Sequence, residues 1–111
     1  MAEKIRLAHP TAKVEVNISD TYSNISNAIG DDRRAIDLIL NAMAQLDIQP
    51  KVTAMRGGTD GADLSAKGLL TPNFFTGAHN FHLKFEFLPI PSFVKSYQLA
   101  ERICLLAAQD R

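Results

Sequence analysis

The chain has 111 residues, the length of one small domain, and a chain this short draws only marginal stability from its own core. Apolar residues make up 46% and charged residues 22%, a globular balance that excludes a disordered tail. Twelve basic residues face twelve acidic ones with neither sign gathered into a run, which excludes a nucleic-acid binder with a basic stripe.

Residues 2–8 have the pattern of a helix end whose beginning is absent. Val14, Val16 and Ile18 then alternate with Glu15 and Asn17, the period of a strand with one wet face. The Ser-, Asn- and Asp-rich stretch from Ser19 to Gly30 predicts a loop. Asp31 or Asp32 is placed to cap a helix on which Ile36, Ile39, Met43 and Leu46 recur at helical spacing. Asp47 to Pro50 ends it, and Lys51 to Met55 predicts a short strand.

A loop, Arg56 to Gly61, leads into one or two helical turns over Ala62 to Lys67, with Gly68 as the C-cap. Phe74 and Phe75 predict a third strand between Pro72 and Gly77, followed by the polar and aromatic loop AHNFHLKFEF. Pro89 and Pro91 open a last helix with Phe93, Tyr97, Ala100, Cys104 and Ala107 as its apolar stripe. The order β-α-β-α-β-α predicts an α/β layer structure.

Cys104 falls on that stripe, so it is expected to be a buried small hydrophobe. A single cysteine forms no internal disulfide and asks for no oxidising compartment. The start lacks a signal-peptide apolar core, and no apolar run approaches the ~20 residues needed to cross a bilayer. The expected location is the cytoplasm, with no membrane partner.

Two loops carry candidate chemistry. In RGGTDG, Gly57, Gly58 and Gly61 free the backbone to turn successive N–H groups toward one point at a helix start. Such a loop suits an anion, and Arg56 adds a bidentate grip on a carboxylate. The alternative is a tight turn with an exposed arginine. In the second loop His79 and His82 lie three apart, a spacing open to a metal. The alternative there is a pair of surface histidines, because the only other histidine is His9 and the single cysteine, Cys104, lies in the last helix.

VEVNISDTYSNI, MRGGTDGADLSAKGL, PNFFTGAHNFHLKFEF and the closing helix, in that order and spacing, resemble the end of the peptidase T family. The family's own order is IRGGTDGA, PNLFTGG, NYH and a Glu-Phe pair before the last helix. The resemblance runs from about Ala8 to Gln109. It implies a two-zinc metallopeptidase that removes the N-terminal residue from tripeptides, with metal ions activating a water and a glutamate as general base.

On the resemblance, His82 matches the last zinc ligand and Arg56 the arginine that grips the substrate's terminal carboxylate. Gly58 and Thr59 match the loop beside it, and Asn24 matches an asparagine of the lid that faces the peptide substrate. This chain has Phe85 where the family often has a second histidine, and His79 where an aromatic is usual. Neither position is the ligand.

The resemblance further implies that residues 1–24 end the lid or dimerisation domain with a helix tail and its last strand. Residues 25–111 would be a β-α-β-α-β-α piece of the catalytic domain. The other metal ligands and the general base belong to the family's N-terminal part. No catalytic residue is therefore assigned here, zinc has one ligand, and the chain is expected to be inactive alone. A non-catalytic binding or interaction module with an anion-binding Arg-Gly-Gly loop is the alternative. The unpaired strand predicts a homo-oligomer, a dimer, joined through Lys13 to Ser19.

Overall fold

A computed structural model describes residues 1–20, 23–55 and 57–109. Among them are five helices: α1 (Ala2–Ala8), α2 (Ile25–Ile29), α3 (Arg34–Gln45), α4 (Asp60–Ala66) and α5 (Ile90–Gln109). Helix accounts for 48% and strand for 2%, and no sheet forms among the described residues. The expected α/β order of β-α-β-α-β-α, with a lid strand before it, is therefore wrong.

The reason lies in what alternation reports. It shows which side chains prefer a dry face, whereas a strand also needs a neighbour for its backbone N–H and C=O groups. Among the described residues no backbone ladder joins 14–18, 51–55 or 74–75 to one another. Val16, Ile18, Val52 and Met55 are exposed. Among the described residues the one pairing is an isolated antiparallel bridge between His79 and Phe87.

The core sits where α3 crosses α5. Ala42, Met43 and Leu99 are buried together, with Ile39, Leu46, Ile48, Phe75, Ile103 and Leu106 packed around them. The stripe read on α3 faces this core, since Ile39, Met43 and Leu46 all join it. Helix α3 starts at Arg34, whose N–H donates to Asp32 Oδ1 at 3.2 Å, so Asp32 is the residue that meets the helix start. At the other end Asp47 takes a left-handed φ of 52° and turns the chain away.

The stripe expected on α5 is the wrong side of that helix. Its packed residues are Leu99, Ile103 and Leu106, while Phe93, Tyr97 and Cys104 are exposed. The expectation of a buried thiol fails with it. At 100° per residue, Ile90, Phe93, Val94 and Tyr97 lie about 180° around the helix from Leu99. Helix α5 has two apolar faces and only one is covered.

A second, smaller packing unit holds α2 against α4. The Ser19–Gly30 stretch is thus not all loop: Asn24 caps α2, and its Oδ1 accepts from Ser26 N at 3.0 Å and from Ser26 Oγ at 2.8 Å. The whole is elongated, 65 × 36 × 18 Å, with a radius of gyration of 19.9 Å. A compact chain of this length has a radius of about 13 Å. Among the described residues no helix is long and apolar enough to cross a membrane.

Candidate functional site

The glycine loop is built around Thr59. Its extended backbone ends the loop and its Oγ1 caps α4 by accepting from Ala62 N at 3.1 Å. The same oxygen accepts from Asn73 Nδ2 at 3.1 Å. Both lone pairs of the hydroxyl are thereby used within the protein, and only its proton is left to offer a ligand. Arg56, the expected carboxylate clamp, lies outside the described residues. Gly58 is exposed beside Thr59.

Gly61, in the first turn of α4, stands where space requires a glycine. A Cβ there would run into the carbonyl oxygen of Thr71 and lie 3.0 Å from Asn73 Oδ1. The segment 71–73 therefore lies directly on the first turn of α4. Ser65 Oγ, from the same short helix, accepts from Thr71 N at 2.9 Å. The two sequence motifs GGTDG and PNFFTG are in contact through Thr59, Gly61, Thr71 and Asn73. Asn73 is the residue that sequence reasoning missed, and its place within the PNFFTG motif was the available signal.

His82 stands in a separate, tightly wound loop closed by the His79–Phe87 bridge. His79 N donates to Phe87 O at 2.9 Å and Phe87 N to His79 O at 3.2 Å. The His79 ring stacks on Phe87 with centroids 5.1 Å apart and planes at 15°. Inside the bridge, Asn80 and His82 both take left-handed φ values of 56° and 61°. Asn80 Nδ2 donates to Phe85 O at 3.2 Å, and His82 N donates to Glu86 Oε2 at 3.0 Å. A histidine in the left-handed region costs energy that the surrounding bonds must offset. Glu86 is thus a further residue of this loop, acting on the backbone of His82.

Among the described residues no group of three or more His, Cys, Asp or Glu side chains could hold a metal ion. One imidazole is one donor of the roughly four that a tight zinc site uses. The residues here therefore do not fit a complete zinc centre, and His82 is at most one member of one. Asn24 and Thr59 cap helices that pack on each other, whereas no hydrogen bond among the described residues joins His82 to either.

A hollow near α2, α3 and α4 is lined by Ala28, Asp32, Arg34, Ser65 and Leu69, and it coincides with neither loop. Its charge is internally paired. Arg34 Nε and Nη2 donate to the two carboxylate oxygens of Asp32 at 2.9 and 2.7 Å. These side-chain bonds, helped by the Arg34 N–H, hold the Asp32 carboxyl down at about 2 and raise Arg34 above its usual value.

No protein-family model matches the chain. Individual proteins match it closely. A peptidase T-like protein of Yersinia pestis is 66% identical over 106 residues, 96% of this chain and 26% of its own length. A peptidase T-like protein of Rhizobium meliloti is 54% identical over 110 residues, 99% of this chain and 27% of its own length. Peptidase T of Listeria innocua is 42% identical over 106 residues, 96% of this chain and 26% of its own. The chain spans about a quarter of the length of these relatives. Over that quarter, the chain is a homologue of peptidase T and the peptidase T-like proteins.

Proposed function

We propose that the chain is the C-terminal portion of a peptidase T-like aminotripeptidase, and that it contributes to a site it does not complete. The observation that carries this is the 66% identity to the Yersinia pestis relative over 96% of the chain. Residues 1–24 would end the lid or dimerisation domain, and residues 25–111 would belong to the catalytic domain. His82 would be the last zinc ligand, on a loop whose backbone Glu86 fixes. When bound, zinc would supply Lewis acidity at the scissile carbonyl of a peptide substrate. Every other donor would have to come from outside the described residues.

Arg56 would grip the terminal carboxylate of the tripeptide, with Gly58 and Thr59 shaping the loop and Asn24 facing substrate from the lid. The lone Cys104, which asks for no disulfide, supports a cytoplasmic setting. Residues 13–19, outside any helix and largely exposed, would pair two copies of the chain edge to edge. Light scattering at micromolar concentration should then give a dimer. A monomer would remove that part of the proposal.

The test of function is a chimaera. This chain replaces the matched 106 residues of the Yersinia pestis relative, and zinc-dependent release of the N-terminal residue from tripeptides is measured. The chimaera should be active, its His82→Ala form inactive, and the chain by itself inactive. A folded chimaera without tripeptidase activity would overturn the proposed function. Turnover by the pure chain would overturn its incompleteness.

A further inference from the structure

Asp60 is the one aspartate in the sequence followed by glycine, and no asparagine is. The backbone nitrogen after an aspartate is a nucleophile within reach of the side-chain carboxyl. A Cβ on the following residue hinders that approach, and glycine has none. Asp60 is exposed at the first position of α4, and Gly61 is buried behind it.

The reaction open to such a pair needs water and nothing else. The Gly61 nitrogen attacks Asp60 Cγ, and the new C–N bond closes a five-membered succinimide ring. The carboxyl OH leaves with the N–H proton as water. A second water then reopens the ring. Opening at the former main-chain carbonyl leaves the chain running through Cγ, as isoaspartate, with no change of mass and nothing oxidised or reduced.

The fold opposes this closure. To bring its nitrogen onto Cγ, the peptide plane between Asp60 and Gly61 must rotate out of helical ψ and carry Gly61 with it. The Thr71 carbonyl and Asn73 Oδ1 stand against Gly61, where not even a methyl group fits. They are themselves tied down. Ser65 Oγ accepts the Thr71 N–H at 2.9 Å, and Asn73 Nδ2 donates to Thr59 Oγ1 at 3.1 Å. The residues on either side of the pair are joined too, since Thr59 Oγ1 accepts the Ala62 N–H at 3.1 Å.

We propose that Asp60–Gly61 is a site of spontaneous aspartate isomerisation, held in check by the contacts of Thr59, Ser65, Thr71 and Asn73 around it. Isoaspartate adds one atom to the backbone in the first turn of α4. That displaces Ala62 from the Thr59 hydroxyl, so each conversion damages the glycine loop permanently. This chemistry is independent of the peptidase reading.

The full chain is incubated at neutral pH, and its tryptic peptide 57–67 is separated into aspartyl and isoaspartyl forms by liquid chromatography. Electron-transfer fragmentation assigns the change to Asp60 or to Asp63. A reaction that proceeds from an opened form runs in proportion to that form's population. Conversion at Asp60 should be roughly tenfold or more faster in denaturing urea than in buffer. In a urea series it should begin to climb below the midpoint at which helical circular dichroism is lost, because local opening precedes global unfolding. Asn73→Ala and Ser65→Ala should each speed it in buffer while keeping the helical signal. Asp60→Glu, whose ring would be six-membered, should abolish the isoaspartyl peptide.

Equal rates in buffer and urea would overturn the protection, and so would a rate that rises only with the global transition. Conversion centred on Asp63 would overturn the site. Both variants keeping their helical signal and converting no faster than the parent would show that these contacts restrain nothing, and the proposal would fall.

Discussion

Asn73 donates its side-chain amide to the Thr59 hydroxyl at 3.1 Å, tying the start of α4 to a segment fourteen residues further along the chain. The same oxygen takes the N–H of Ala62 and so caps the helix. One atom therefore serves as both local cap and tertiary link.

Replacing Thr59 with Ala removes both bonds. Loss of an N-cap costs about 1 kcal/mol, and loss of the Asn73 partner adds roughly 0.5–1.5 kcal/mol. Thr59→Ser keeps the oxygen and should recover most of the loss. A double-mutant cycle with Asn73→Ala, read by urea denaturation, should show a coupling of about 0.5 kcal/mol or more. Strict additivity would mean that the 3.1 Å bond contributes nothing.

Gly61 sits in the same cluster and is constrained by space. In an open helix, Gly→Ala gains about 1 kcal/mol from propensity. Here the added methyl would overlap the Thr71 carbonyl, a backbone group of a residue whose N–H is anchored to Ser65 Oγ. Overpacking of this kind costs typically 1–3 kcal/mol. Gly61→Ala should therefore destabilise on balance, and its melting temperature should fall below that of the parent. A rise would show that segment 71–73 moves aside freely.

The helices were legible where periodicity and punctuation agreed. The repeat of Ile39, Met43 and Leu46 gave the buried face of α3, and Pro89 and Pro91 marked the start of α5. Two other patterns misled. On α5, apolar residues occur on both sides, so spacing alone had no means of choosing the side that Leu99 occupies. At 14–18 and 51–55, alternation described a face preference without a partner strand. Helix α2 was hidden by Ser and Asn, which are weak helix formers but good caps, as Asn24 is. The candidate site was legible as motifs. That Asn73 braces Thr59 depended on a contact between segments, and that Thr59 caps and Glu86 holds the His82 backbone depended on local turn geometry.

Asp32 gives a prediction in pH. Its carboxyl lies at about 2, below the ordinary 3.8, chiefly because Arg34 hydrogen-bonds the ionised form. A depressed carboxyl contributes stability that is fully present above its ordinary value and is lost as pH falls through the folded one. The loss should therefore run from about pH 4 down to about 2. Proton titration of the Asp32 side chain by NMR should give a midpoint near the lower figure. In Arg34→Ala the midpoint should move up toward the ordinary value. A midpoint already near 3.8 in the parent would mean that the pair does not persist in solution. Asp32 is part-buried and Arg34 exposed, so the pair is reached by solvent and raising salt should weaken it.

His82 sets stability against chemistry. Its φ of 61° is a conformation that costs a residue with a Cβ roughly 1–2 kcal/mol, and glycine almost nothing. Glycine also loses more chain entropy on folding, about 0.5–1 kcal/mol relative to alanine. The steric term is the larger, so His82→Gly should be more stable than His82→Ala by up to about 1 kcal/mol. Both variants lack the imidazole, so the comparison isolates the backbone.

The Glu86 bond provides the control, because its carboxylate accepts the His82 N–H at 3.0 Å and helps hold the turn. Glu86→Ala should increase amide hydrogen exchange at His79 and Phe87, which close the loop. Glu86→Gln retains a carbonyl oxygen and should restore much of the protection. Adding His82→Gly to Glu86→Ala should restore it as well, since the turn then needs less holding. If the glycine variant exchanges as fast as the alanine one, the left-handed turn is not where the loop stores its strain. If it exchanges more slowly, a histidine occupies that position at a cost in stability, as expected of a residue retained for its ring.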